Sequence, residues 1–137
     1  MSPEELGRAW VQAWTDGDFE ASNNLVADDA WLGITAPSAG TSKAQSDQDA
    51  RAWKAAFPDG RGTVKNVVAS GNTAALEVEW TGTNTGSMMG MPPTGKSVRV
   101  QAAVFVTAEN GKIAHFMHYL DVAGILGQLG MLPAPGQ

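Results

Sequence analysis

Apolar positions recur along this chain with two different periods, and the change from one to the other divides it. In "SPEELGRAWVQAWTDGD", Leu6, Trp10, Ala13 and Trp14 form one stripe at helical spacing. An N-cap serine, Pro3 at the first helical position and two early glutamates mark where that helix starts. "TDGD" breaks it, and "FEASNNLVADDA" predicts a second, shorter helix reaching about Ala27. "AWLGIT" predicts a short strand. The next stretch, "SAGTSKAQSDQDARAWKAAFPDG", predicts a loop and a third helix, capped at Thr41 or Ser42 and stopped by Pro58 and Gly60.

Beyond Gly60 the period falls to two. "GTVKNVVAS" pairs with "NTAALEVEWTGTN" across Gly71-Asn72, and "KSVRVQAAVFVTA" with "GKIAHFMHYLD" across Asn110-Gly111, both hairpin signals. Between the pairs, "TGSMMGMPPTG" predicts an irregular lid carrying Met88, Met89 and Met91. "VAGILGQLGML" predicts a closing helix. Helices followed by a meander imply an α+β fold, with the helices packed on one face of a curved antiparallel sheet. Such a sheet wraps them into a conical barrel with one open end, where a pocket belongs.

The last strand shows which side chains face that pocket. Ala114, Phe116, His118 and Leu120 share one parity; Ile113, His115, Met117, Tyr119 and Asp121 share the other. The first set is apolar apart from one histidine, so His118 points toward the helices and His115 outward. Asp121 follows where the strand turns into the last helix. It is placed either to pair with His118 as an acid–base dyad or to cap that helix, and one residue can do both.

Composition narrows the function. The 137 residues are one domain, residues 1–137, carrying a net charge of −5 with nine scattered basic residues. No basic face for nucleic acid can be assembled from them. No apolar run approaches a membrane span, and "MSPEELGRAW" lacks the basic and apolar regions of a signal peptide, so a cytoplasmic location is expected. Without cysteine there is neither a disulfide nor a thiolate nucleophile. No G-x-S-x-G elbow or phosphate cradle occurs, and two histidines on opposite faces cannot share a metal; no metal or cofactor is expected. Five tryptophans in so short a chain fit either a core or the wall of an apolar pocket.

Three segments carry a family resemblance: "WTDGDFEASNNLVADDA", "GTNTGSMMGMPPTGKSV" and "NGKIAHFMHYLDVAGILGQLG". Together they resemble SnoaL-like polyketide cyclases of the nuclear-transport-factor-2-like superfamily, over nearly the whole chain. The resemblance implies a conical α+β barrel and cofactor-free acid–base chemistry on a carbonyl substrate, such as intramolecular aldol closure. It also implies an acidic residue near the end of the last strand, and a homodimer, here through the outer sheet face. The chain departs from its relatives in places. His118 stands where many carry an acid, and Asn84 where many carry histidine. The general base of ketosteroid isomerases would fall at Ile34, their oxyanion-binding acid at Ala103 and their catalytic tyrosine at Trp10, so that activity is not expected.

The site expected from these readings has His118 and Asp121 as the catalytic pair, either one being the base. Trp10, Trp14, Ile34, Trp53, Trp80, Met88, Phe105, Phe116 and Leu120 form the wall. The expected substrate is an apolar small molecule with a carbonyl group. The competing readings are a non-catalytic binder of an apolar ligand and an interaction protein that pairs through Met117 and Tyr119.

Overall fold

The computed structural model describes residues 1–34, 39–88 and 90–131. Helix α1 (Pro3–Asp16) starts at a complete capping box: Ser2 Oγ accepts the Glu5 amide and the Glu5 carboxylate accepts the Ser2 amide. It ends on Gly17 in the left-handed region. Helix α2 (Phe19–Asn24) follows, then β1 (Val26–Gly33) and α3 (Lys43–Ala56), the last capped by Ser42. Strands β2 (Arg61–Ser70), β3 (Thr73–Thr83), β4 (Ser97–Glu109) and β5 (Lys112–Leu120) form the meander, and α4 (Val122–Gln128) closes the described chain. Among the described residues no helix is long and apolar enough to cross a membrane.

The sheet runs β1-β5-β4-β3-β2, antiparallel except where β1 lies parallel to β5. The sheet is thus mostly antiparallel, as expected, with β1 added in parallel at one edge, and that pairing shortens α2. The helical pattern runs on to Ala27, yet α2 stops at Asn24 because the Leu25 carbonyl accepts the Ile113 amide and Val26 pairs with Ile113. Lys112 Nζ reaches the Asn24 carbonyl, and Lys43 Nζ the Val26 carbonyl at 2.9 Å. Tertiary partners thus take the carbonyls that a longer helix would use. Thr35, Met89 and Leu132, which belong to the predicted strand, lid and last helix, lie outside the described residues.

Helix α1 lies inside the curve of the sheet, and its contact is close. A Cβ on Gly7 would sit 2.7 Å from a Leu76 methyl, so any larger residue there would push the Leu76 side chain aside. Trp10 is the hub of the core, with ring centroids 4.7 Å from Trp14, 4.5 Å from Phe116 and 6.0 Å from Trp80. The inward residues of β4 are Val98, Val100, Ala102, Val104 and Val106. Two expectations about facing fail here. Phe105 is 41% exposed on the outer face, edge-on to Tyr119, and lines no pocket. Phe105 shares its parity with Ser97, Arg99, Gln101 and Thr107, and pairing of Val104 with His118 and Val106 with Phe116 turns the valines inward. By the same alternation Ala103 shares the outward parity, so it is no counterpart of a pocket acid.

The second failure is Ile113, read as outward and in fact fully buried. Thr107 pairs with His115 and Ala108 with Ile113, leaving Ala114 as the extra residue of a β-bulge. The bulge resets the alternation, so that both Ile113 and Phe116 face inward.

Candidate active site

Two adjoining spaces open beside β5. The inner one, about 60 Å³, lies between α1, α3 and the sheet, walled by Trp14, Ile34, Asp49, Trp53, Trp80, His118 and Leu120. The outer one, about 340 Å³, is lined by Ile34, Gln101, His118, Tyr119, Leu120, Asp121 and Val122. They share Ile34, His118 and Leu120, so the inner cavity adjoins a vestibule at the end of the last strand. By itself the inner space holds no more than a single small ring; the two together reach the size of an ordinary ligand pocket.

Of the expected wall, Trp14, Ile34, Trp53, Trp80 and Leu120 do surround this space. Trp10 and Phe116 stand behind it, Trp10 packing edge-on to the His118 ring at 5.4 Å. Met88 lies on another crevice, between α3 and the β3–β4 loop, which meets the inner cavity at Trp53 and Asp49. There it closes a small turn by exchanging backbone hydrogen bonds with Met91. Sequence reasoning missed Asp49, although it stands one helical turn before Trp53 and so on the same face of α3. Its carboxylate accepts a hydrogen bond from Gln45.

His118 is the inward histidine, 4% exposed, while His115 stacks on Trp31 at the surface. The expected dyad is absent. Asp121 is the N-cap of α4, its Oδ1 accepting the Gly124 amide at 2.8 Å, and nothing joins it to His118. Instead the Trp80 indole N–H donates to His118 Nε2 at 3.3 Å, and Nδ1 has no partner. Burial pushes the imidazole pKa down from its ordinary value to about 4, so the ring is neutral at pH 7. His118 as a proton acceptor hydrogen-bonded to Asp121 is therefore corrected: its accepting nitrogen is already engaged. Among the described residues no three His, Cys, Asp or Glu come together in a way that could hold a metal ion.

This burial has a consequence for stability. As pH falls from about 6.5 toward 4, the unfolded chain takes up a proton at residue 118 that the folded chain refuses. Stability present above pH 6.5 is then lost over that window, by roughly 3 kcal/mol in all. Carboxylates held below their ordinary range by hydrogen bonds, Glu5 from Ser2, Asp47 from Arg51, Asp59 from Thr83 and Glu79 from Gln101, lose their contribution only at lower pH. Urea midpoints measured at intervals from pH 7.5 to 4 should fall across the histidine window, and His118→Phe should flatten that fall. A wild-type midpoint constant down to pH 5 would contradict the burial.

With the geometry established, comparison with known proteins places the chain. The model of the SnoaL-like polyketide cyclases matches residues 4–129. The chain belongs to that family. Solved structures share the fold. AclR of Streptomyces galilaeus, provisionally assigned as a hydroxylase, is 25% identical with a TM-score of 0.86, over 96% of this chain and 82% of that one. IdmH of Streptomyces antibioticus, provisionally assigned as a polyketide cyclase, is 24% identical with a TM-score of 0.83, over 95% and 99%. A protein of Catenulispora acidiphila DSM 44928 with a ketosteroid isomerase-like fold, crystallised with trimethylamine, is 22% identical with a TM-score of 0.77, over 100% and 99%. No curated protein matched the chain. Membership of the family supports a small-molecule enzyme fold of the cyclase and isomerase type, while the chemistry belongs to the site.

Proposed function

We propose that this member of the family is a cofactor-independent enzyme that removes a proton from carbon beside a carbonyl group, with Asp121 as the proton acceptor. One observation carries the reading: the apolar inner cavity and the vestibule holding Asp121 adjoin, with Ile34, His118 and Leu120 lining both. A substrate spanning both keeps an apolar ring inside and its acidic C–H near the carboxylate. The C–H electron pair passes into the carbonyl as the proton goes to Asp121, giving an enolate. In ring closure the enolate carbon bonds to a second carbonyl of the same molecule, and the proton returns to the new alkoxide. Exclusion of water by the tryptophan wall strengthens each polar contact made to that charge.

A second reading is favoured by the engagement of Asp121 with the Gly124 amide and its lack of contact with His118. On that reading the cavity holds an apolar carbonyl compound without chemistry. The two are separated by following hydrogen–deuterium exchange at the α-carbon of a panel of aryl β-keto esters in D₂O by NMR. The enzyme should speed exchange well above the buffer rate, in proportion to its concentration. Binding detected by line broadening without any accelerated exchange would favour the binder.

A further inference from the structure

We infer that Trp80 holds His118 in its Nδ1–H tautomer, so that the histidine meets a bound carbonyl oxygen as a neutral hydrogen-bond donor. This rests on the proposed function only for the nature of the ligand. An indole nitrogen carries a hydrogen and no accepting lone pair, so in the contact from Trp80 Nε1 to His118 Nε2 at 3.3 Å the histidine nitrogen must accept. A neutral imidazole has one N–H. With Nε2 accepting, that hydrogen is on Nδ1. The ring is held in place from several sides: Trp10 lies edge-on at 5.4 Å, Trp80 at 6.1 Å, and Phe116 at 6.5 Å.

His118 Nδ1 is a buried donor without an acceptor among the described residues, on a side chain that lines the inner cavity; Trp14, another lining residue, also carries a buried N–H without an acceptor. Trp53 Nε1 is also unpartnered, but it lies beside Gly60, which is no part of the wall. Two buried N–H groups with nothing to bond are costly, and the group that satisfies them is an oxygen acceptor. An amine would bring a further donor; a hydrocarbon would bring nothing. A ketone, quinone or enolate oxygen suits the His118 donor, and an enolate best, because a donor already in place stabilises charge as it develops. His118 Nδ1 is covered, so contact with a ligand oxygen requires a neighbouring wall side chain to shift. Trp80 lines the cavity, and its part in this hydrogen bond is that of a positioning residue: it acts by choosing which nitrogen of His118 carries the hydrogen.

The tautomer is read directly from long-range ¹H–¹⁵N correlation spectra of the protein labelled at histidine. In the wild type at pH 7, His118 should show a protonated, pyrrole-type Nδ1 and a pyridine-type Nε2. A protonated Nε2, or an average of the two forms, would overturn the inference. Trp80→Phe removes the donor and should shift His118 to the Nε2–H form or to an averaged signal; if that variant does not fold, the wild-type spectrum still decides. Cyclohexanone, small enough for the inner cavity, should then move the Nδ1–H proton downfield, and methylcyclohexane should not. Binding of each is followed independently at the Leu120 methyls. An Nδ1–H unmoved by cyclohexanone at saturation, or moved equally by both, would overturn the oxygen-acceptor assignment. The expected spectra without accelerated α-proton exchange would leave this inference standing while removing the catalytic one.

Discussion

Asp121→Asn is expected to lower enzyme-dependent α-proton exchange by about two to four powers of ten, the usual weight of a lost general base. The variant separates the two uses of one side chain. As N-cap of α4, Asp121 gives an oxygen to the Gly124 amide, and an asparagine carbonyl can accept the same bond. Stability should therefore stay within about 0.5 kcal/mol of the wild type. Asp121→Ala should lose the exchange as well and about 1 kcal/mol of stability besides, since the cap goes too. The amide cannot take up a proton from carbon, which is the whole difference from the acid. Exchange rates measured at saturating β-keto ester, beside urea midpoints, check both halves. Retention of exchange in Asp121→Asn would remove the assignment. If exchange were lost instead in Asp49→Asn, the base would be the carboxylate on the inner cavity wall.

Asn84→Ala should cost roughly 3 to 5 kcal/mol, taking each polar group stranded without a partner at about 1 to 3 kcal/mol and allowing some to find water. Asn84 is completely buried at the base of the β3–β4 loop. Its Nδ2 donates to the carbonyls of Ala56 and Gly86, at 3.2 and 2.8 Å, and its Oδ1 accepts from the amide and the hydroxyl of Thr94, at 2.9 and 3.0 Å. The side chain thus ties the end of α3 to both arms of the loop. Beside it the loop touches α3 backbone to backbone: a Cβ on Gly86 would fall 1.8 Å from the Ala55 carbonyl oxygen. Asn84→Asp keeps the acceptor for Thr94 but faces the Ala56 and Gly86 carbonyls with a charge, so it should also destabilise, and more as the pH rises above the carboxylate range. Thermal unfolding of the three proteins at pH 5 and pH 8 tests this. A loss below about 1 kcal/mol in Asn84→Ala would mean that the loop is held by other contacts.

Several features were legible in advance because a local rule governs each. The caps of α1 and α3, Ser2 and Ser42, follow from the need of free amides at a helix start. The turns at Gly71-Asn72 and Asn110-Gly111 follow from backbone angles that few residues adopt; Gly71, Asn110 and Gly111 all have positive φ. His118 could be assigned inward because polar His115 and Tyr119 flank it on the opposite parity. Parity within β4 places Phe105 outward, beside Arg99 and Gln101, so its place in the expected wall ran against the pattern of its own strand. The reasoning failed where an inserted residue resets the alternation, as at Ile113 beside the bulge.

The sequence by itself determined the elements, their order and the placing of one histidine among apolar neighbours, since those depend on propensities and periods within a few residues. Only the tertiary structure decided what that histidine bonds. Trp80 lies 38 positions away on β3, and pattern within one strand cannot report a partner brought close across β4. A parity argument says which face a side chain takes; it says nothing of which nitrogen is occupied or whether Asp121 turns to His118 or to its own helix. Those outcomes depend on competition among partners a few ångströms apart, where a hydrogen bond's strength falls steeply with distance and angle. The same holds for β1, whose parallel pairing with β5 ended a helix that its own sequence would have continued.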